Sequence, residues 1–401
     1  MFLATVIMAL REIRRNGLRS ALTMLGVVIG VAAVIALVSV GRGATAKVTA
    51  DIAKLGQNLL MVTPGAYVRG GASTAAAPFT LDDAQAIRRE IRGVDAVAPA
   101  ASQQSQVIAG NRNARTSVTG STNEFFVARG HSVARGRSFT DAEAQGAVPV
   151  CVIGQTVKTN LFGNRDPLDG SIRIGKLSCR VIGVLASKGQ AGMGMDQDDL
   201  VVMPLRTLQR RILGKNDISI IYVTAEEGRP TSIVSEQIQA LMRQRRKRPA
   251  GSDDDFSIRD MAEIAATVTS ASNALTALLG AIAAVSLIVG GIGIMNIMLV
   301  SVTERTREIG IRLAIGAFAS EVMLQFLLEA IVLSTLGGVV GMLLGFVGSY
   351  FAARALDVPF VVAPDVVSLA FLFSALVGVL FGYLPARKAA RLNPIEALRH
   401  E

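Results

Sequence analysis

The sequence predicts an α-helical membrane protein with four transmembrane helices and a large α/β extracytoplasmic domain. Apolar residues make up 51% of the 401 residues, and charged residues only 18%, which is less than in ordinary soluble domains. Four long segments carry no charge, whereas the stretch between the first and second has a soluble composition. With two His and two Cys, a site built mainly from metal ligands or a Cys–His pair is not expected.

Four uncharged segments are long enough to cross a bilayer, which takes roughly 20 apolar residues. They lie between Arg19 and Arg42, Glu263 and Glu304, Glu329 and Arg354, and Asp365 and Arg387. The predicted spans are 20–41, 274–300, 330–353 and 366–386. A buried helix of a soluble protein explains one such segment but not four. A cleaved signal peptide is an alternative for the first, because Ala44-Thr45-Ala46 resembles a cleavage site, but its apolar run is longer than usual.

Basic residues near the span ends predict the orientation of the chain. They cluster before the first span, between the second and third, and after the fourth: Arg11, Arg14, Arg15, Arg19, Arg305, Arg307, Arg312, Arg387, Lys388, Arg391 and Arg399. Both termini and the loop 301–320 are therefore expected in the cytoplasm, and residues 43–264 outside. The net charge of +10 then reflects topology, and no nucleic-acid partner is expected.

The chain ends are expected to form short cytoplasmic helices. Residues 1–19 place Leu3, Leu10 and Ile13 on one apolar face beside several arginines, the pattern of a helix lying on a membrane surface. In the tail, 387–401, Asn393 can cap a last helix that has Pro394 at its first position.

The outside domain contains two strand–helix–strand units that predict an α/β fold. The first has a strand at 58–63, a helix at 81–91 that starts after Thr80, and a strand at 94–99. The second has a strand at 218–224, a helix at 232–246 and a short strand near Phe256. Between them, about 125–214 is rich in short strands and glycine turns, which suggests an inserted subdomain.

Two features of this domain can be interpreted either as chemically functional or as purely structural. Cys151 and Cys179 lie outside the membrane, where disulfides form, but two separate buried cysteines are equally compatible with the pattern. Residues 170–177 nearly match a phosphate-binding P-loop with Lys176, but Leu177 replaces the Ser or Thr that binds Mg²⁺. A strand and not a helix is expected to follow, so a simple turn is the preferred interpretation.

The spans contain glycines at spacings that allow close helix packing. Gly337, Gly341 and Gly345 form two small-xxx-small steps, and Gly26/Gly30 and Gly378/Gly382 form one each. Such glycines are also common in membrane helices generally. The central parts of the spans have no ionisable residue, which counts against an ion-driven carrier.

The loop 301–320 has the pattern of a short amphipathic helix. Thr303 is expected to cap a helix that begins at Glu304. Glu308 and Arg312 are spaced for an i,i+4 pair, and Ile309 and Leu313 share a neighbouring stripe. The alternative is a plain connector whose charges only set topology.

Together these motifs resemble the MacB/FtsX-like ABC-transporter permeases. The resemblance rests on Thr303-Glu-Arg-Thr-Arg-Glu-Ile-Gly-Ile-Arg312, the tail Pro385-Ala-Arg-Lys-Ala-Ala-Arg-Leu-Asn-Pro-Ile-Glu-Ala-Leu398, Leu22 to Gly30, Val152 to Gln155, and Leu161 to Gly163. It implies a periplasmic domain with a porter-like half and a strand-rich insertion, in an inner-membrane protein. It also implies that the spans transmit ATP-driven motion to that domain instead of passing substrate.

The resemblance implies which residues contact an ATPase. These are Glu304, Arg305, Arg307, Glu308, Ile309, Gly310, Arg312 and Leu313, with Ile309 and Leu313 entering a groove of the partner and Gly310 allowing close approach. Because about 20 residues precede the first span, ATP and Mg²⁺ are expected on a separate ATPase, in two copies beside two permease copies. The chain itself is expected to have no enzymatic activity and no cofactor.

Three functions are compatible with this resemblance. The first is export of an unknown substrate, with a periplasmic adaptor and an outer-membrane channel as candidate further partners. The second is release of lipoproteins from the membrane, and the third is signalling to a cell-wall hydrolase, as in FtsX-like proteins. The outside domain of about 220 residues favours export over signalling.

Overall fold

The computed structural model describes residues 17–56, 58–65, 76–190, 196–249, 252–362 and 364–399. The predicted helix over 1–19 therefore lies almost entirely outside the described residues. The chain divides into two compact units, one of residues 48–268 and one of residues up to 47 together with those from 269 onward.

Unit 48–268 is built on a twisted sheet to which ten strands of the described residues contribute. They are β1 (Leu59–Pro64), β2 (Val94–Ala109), β3 (Arg112–Ser121), β4 (Val133–Gly136), β5 (Val150–Ile153), β6 (Ser171–Ile174), β7 (Leu177–Leu185), β8 (Leu200–Pro204), β9 (Ile220–Ala225) and β10 (Phe256–Asp260). The order is β10-β1-β9-β2-β3-β8-β5-β7-β4, and β6 pairs with β2 and β7.

One end of this sheet contains both strand–helix–strand units. Helix α2 (Leu81–Glu90) follows β1 and begins with a capping box, in which Thr80 and Asp83 each bind the backbone N–H of the other. Helix α7 (Thr231–Arg245) follows β9. Strand β9 of the second motif lies between β1 and β2 of the first, so the two strand–helix–strand motifs share one sheet. Ile87 of α2 and Ile238 of α7 are completely buried in the core of this sheet.

The strand-rich part of this unit begins earlier than the sequence suggests. The first half of β2 pairs with β9, whereas residues 101–109 pair with β3, which itself pairs with β8. Residues 101–121 therefore pair within the strand-rich part of the sheet, ahead of the predicted insertion at about 125–214. The reason is that β2 is one continuous strand that exchanges partners along its length, so no break in the sequence marks the boundary.

Short helices connect the strands of the insertion and its borders. They are α3 (Glu124–Ala128), α4 (Asp141–Gln145), α5 (Gln155–Leu161), α6 (Leu205–Leu208) and a π-helical turn over Gln209–Leu213. The near P-loop at 170–177 is a β-hairpin, in which Ile174 of β6 pairs with Leu177 of β7. Gly175 supplies the left-handed turn residue with φ of +58°, and a strand follows where a phosphate site needs a helix N-terminus.

The second unit consists mainly of long apolar helices, two of which extend a few residues into the sequence of unit 48–268. Helix α1 covers Gly17–Leu55, α8 Met261–Glu304, α10 Ala319–Ala355 and α11 Pro364–Ala390, with the shorter α9 (Thr306–Ala314) and α12 (Pro394–Arg399). Within the described residues, four helices are long and apolar enough to cross a membrane: Met24–Ala53, Met261–Glu304, Ala319–Ala355 and Pro364–Ala390. These helices extend beyond the predicted spans, because charged residues end a lipid-compatible stretch without ending a helix.

Cys151 of β5 and Cys179 of β7 lie on neighbouring strands and are completely buried. Their Cα atoms are 6.0 Å apart, a separation that suits a disulfide, and the structure joins their sulfur atoms. The bond closes a loop across the strand-rich part of the sheet.

We predict that loss of this bond lowers the stability of unit 48–268. With 28 residues of separation, the loop-closure entropy corresponds to about 3–4 kcal/mol. Cys151→Ala, Cys179→Ala and the double variant should lose similar stability, because each removes the same bond. Denaturant unfolding of the full chain measures this, and denatured wild-type protein should show no reactive thiol without reductant. Two reactive thiols would contradict the disulfide.

Candidate functional site

The connection between the second and third candidate spans contains the short helix α9, which is separated from α8 at Arg305 and from α10 by residues 315–318. Helix α8 continues to Glu304, and α9 begins at Thr306. The Thr306 hydroxyl donates to the carbonyl oxygens of Val302 (3.1 Å) and Thr303 (2.8 Å), which ties the start of α9 to the last turn of α8. The expected cap at Thr303 is wrong, because this residue lies inside α8, where its hydroxyl donates to the carbonyl of Val300.

Ile309 and Gly310 face the interior of the helical unit. Ile309 is only 2% exposed, and Leu313 is half-buried against the same apolar core. A Cβ at Gly310 would lie 2.6 Å from the Cβ of Ala397, so the glycine allows close approach of the tail helix α12. In this structure the side on which these three residues were expected to contact a partner faces the core and the tail of the same chain.

Arg305 and Arg312 are also bound within the chain. Arg305 Nη1 lies 3.7 Å from Oε2 of Glu329, and both side chains are largely buried. Arg312 donates to Oε1 of Gln325 at 2.8 Å and forms the expected i,i+4 pair with Glu308. Gln325 and Glu329 are one helical turn apart on α10, so α9 is fixed to one face of that helix.

The opposite side of the connection is exposed and partly apolar. Ile311 is 43% exposed, and Ile315 and Phe318, which follow the end of α9, are 81% and 72% exposed. Arg307 and Glu308 are exposed beside them, as is Glu304 at the end of α8. We call Arg307, Glu308, Ile311, Ile315 and Phe318 the α9 face. Its three apolar members were missed from the sequence, because Ile315 and Phe318 lie in the non-helical residues after α9 and share no helical periodicity with Ile311.

Glycines bring α1 into close contact with two other helices. A Cβ at Gly341 of α10 would lie 2.8 Å from the carbonyl oxygen of Val28, and one at Gly345 would lie 3.0 Å from that of Ala32. Gly337 lies against Met24 and Val27 in the same way. On another side of α1, a Cβ at Gly26 would lie 2.7 Å from the Cα of Gly290, and one at Gly30 would lie 3.1 Å from Leu287. The predicted glycine rows thus form contacts within one chain.

The pair α10 and α11 has the same kind of contact. Gly378 faces Ser334, and Gly382 faces Ala330. The hydroxyl of Ser374 on α11 donates to the carbonyl of Ser334 at 2.6 Å, and both serines are completely buried. Small residues and one buried hydrogen bond therefore hold these two helices together.

Beyond its apolar part, α1 is attached by charge to the start of α11 and to the segment that precedes it. Arg42 donates to both carboxylate oxygens of Asp365, at 2.8 and 2.5 Å. Lys47 donates to the carboxylate of Asp357 at 2.7 Å, which holds the pKa of that exposed carboxyl below its usual range. Gly43 lies directly against the backbone carbonyl of Pro359. We call these contacts the α1 clasp.

Comparisons with known proteins agree with a membrane permease that carries a large domain outside the membrane. Residues 20–241 match the family model described as "MacB-like periplasmic core domain", and residues 280–394 match the one described as "FtsX-like permease C-terminal". The chain belongs to the MacB/FtsX-like family of ABC transporter permeases. It is therefore an inner-membrane protein, and unit 48–268 is its extracytoplasmic domain.

Individual relatives have the same family name. The "Macrolide export ATP-binding/permease protein MacB" of Bdellovibrio bacteriovorus is 42% identical over 390 residues, covering 96% of this chain and 60% of that protein. The protein of the same name from Chlorobium luteolum is 42% identical over 405 residues, covering 100% of this chain and 60% of its own. The chain thus spans about three fifths of the length of these relatives.

Among solved structures, the chain resembles the periplasmic region of MacB from Actinobacillus actinomycetemcomitans. The TM-score is 0.47 with 21% sequence identity, over 54% of this chain and 95% of that one.

We predict that Gly341→Leu destabilises the helical unit, because its side chain would meet the backbone of α1 and not a flexible group. Overpacking of this kind typically costs about 1–3 kcal/mol. Gly348→Leu on the same helix is the matched control, since nothing lies within 4 Å of its Cβ position. Thermal unfolding of both variants in detergent measures the difference, and equal stabilities would contradict close packing at Gly341.

Proposed function

We propose that this chain is the permease subunit of an exporter and transmits the ATP-driven motion of an ATPase to its periplasmic domain. Family membership supports the coarse role, because these permeases belong to ABC transporters. The names of the relatives combine macrolide export with ATP binding. The substrate of this chain is left open.

The α9 face is the observation that carries this proposal. Ile311, Ile315 and Phe318, close together in sequence, expose apolar side chains to water in an isolated chain, which is the character of a protein-binding surface. The exposed charges of Arg307 and Glu308 beside it suit a polar rim. A partner that binds there contacts α9 directly. Only Arg305 separates α9 from α8, so no long flexible linker lies between the two helices.

ATP and Mg²⁺ belong on the ATPase in this proposal, and not on the permease. The nearest match to a phosphate-binding loop, around Lys176, is a β-hairpin in the extracytoplasmic domain. Two ATPase copies serve two copies of this chain, in accord with the twofold arrangement that the resemblance implies. An adaptor and an outer-membrane channel are the further partners expected of an exporter.

The proposed topology places both termini and the α9 face in the cytoplasm and residues 43–264 in the periplasm. The distribution of arginine and lysine supports it. Because Cys151 and Cys179 are bonded and buried, a single added cysteine can report its own side of the membrane.

We predict that Arg115→Cys is labelled by a membrane-impermeant maleimide in intact spheroplasts. Arg115 is exposed on β3, outside the membrane in the proposed topology. Ile395→Cys is the matched control, because Ile395 is 75% exposed on the tail helix and should react only after the membrane is permeabilised. The reverse pattern would reject this orientation.

We predict that the double variant Ile311→Ala with Ile315→Ala no longer binds the ATPase subunit. Each truncation removes about 1.5–3 kcal/mol of apolar burial if the side chain is covered by the partner, so affinity should fall at least tenfold. Co-purification of the ATPase from host membranes and ATP turnover of the isolated complex measure this. Ile395→Ala, another exposed isoleucine, should leave both unchanged.

A variant of the buried neighbour Ile309 distinguishes an effect on folding from an effect on ATPase binding. Ile309→Ala should lower thermal stability, because it leaves a cavity beneath the tail helix, and should not abolish docking directly. Unchanged ATPase association in the double variant at Ile311 and Ile315 would overturn the assignment of the α9 face.

A further inference from the structure

The contact between Arg305 and Glu329 has a position that packing alone does not explain. Glu329 is a carboxylate on α10, directly before the predicted span 330–353, yet it is only 8% exposed. Burying a carboxylate is costly unless a cation and further polar groups compensate it. Its cationic partner is the residue at which the helix from α8 to α9 is broken.

Two contacts attach α9 to α10. At the break, Arg305 binds Glu329, and near the other end of α9, Arg312 binds Gln325. Arg305 and Arg312 are seven residues apart, which is two helical turns, so both lie on one side of α9. Two attachment points prevent α9 from pivoting freely about the end of α8.

We propose that Arg305 and Glu329 are positioning residues that transmit displacement of α9 to α10. This inference rests on the proposed function, in which an ATPase pushes on the α9 face. Without the pair, displacement of α9 still reaches α8 through the backbone. The start of α9 is then no longer attached to α10 by a side-chain contact.

Displacement of α10 would also affect α1, because the two helices are in close contact. The glycine row of α10 lies directly against α1, and the α1 clasp joins α1 to the segment that follows α10. Helices α1 and α8 are the two elements that connect in sequence to the extracytoplasmic domain, at β1 and β10. In this proposal, the Arg305–Glu329 pair lets one displacement of α9 reach both α8 and, through α10, α1.

The test uses the full chain in complex with its co-purified ATPase. Leu356→Cys, an exposed position just after α10, serves as reporter for an impermeant maleimide in the wild-type background and in each variant. The variants are Glu329→Gln, Arg305→Gln, the neutral double variant and the exchange Arg305→Glu with Glu329→Arg. Glu321→Gln is the matched control, because it makes the same chemical change at an exposed site of α10.

We expect the reactivity of the reporter to differ between the ATP-bound and nucleotide-free wild-type complex. Glu329→Gln and Arg305→Gln should lose this difference while still co-purifying the ATPase, and the exchange variant should regain it. If a single variant does not fold, the neutral double variant, which leaves no unpaired buried charge, should fold and also lack the difference. Glu321→Gln should behave as wild type.

Three results would overturn the inference. They are a reporter that does not respond to ATP in the wild-type complex, a response that persists in Glu329→Gln or the neutral double variant, and loss of ATPase association in these variants. The last result would assign the pair to building the docking surface. Failure of the proposed function is distinct, because it appears as unchanged ATPase association when Ile311 and Ile315 are truncated.

Discussion

The close approach of α1 to its neighbours is the constraint on which the helical unit depends. Lipid is as apolar as leucine, so these helices gain little from hiding apolar surface and must associate by short-range contacts between backbones. Gly341 and Gly345 bring α10 against carbonyl groups of α1, and Gly26 meets Gly290 of α8. Because these positions have no side chain, the backbone of α1 packs closely against both α8 and α10.

A second constraint follows from the polar groups that the helical unit contains. Glu329 and Arg305 are largely removed from water, and their pairing offsets part of the cost of burying the two charges. The contact of Arg42 with Asp365 links the far part of α1 to α11, but its groups are exposed, so this pair contributes little by itself. Close glycine contacts therefore set the distance between the helices, and the Arg305–Glu329 pair fixes the start of α9 against α10.

The sequence predicts the repetitive features of this protein well, since composition and spacing are local properties. The four apolar helices, the glycine rows and the helical pattern near Glu308 are all visible in this way. It does not predict which apolar stripe of α9 is buried, because Ile309 and Ile311 are equally apolar. That choice depends on Ala397, almost ninety residues away, and no local pattern contains it. The change of partners along β2 near residue 101 was missed for the same reason.

The orientation of α9 is the point at which these constraints meet. The contacts of Arg305 and Arg312 with α10 and the fit of Gly310 against the tail helix involve two other segments of the chain, and all are consistent with an inward-facing Ile309. Since a helix that buries one stripe must expose the opposite one, the same contacts turn Ile311 outward. Apolar side chains held outward by such contacts are costly in water. The fold of the helical unit thus exposes apolar surface as a direct result of its own packing, and this surface is where the proposed partner would bind.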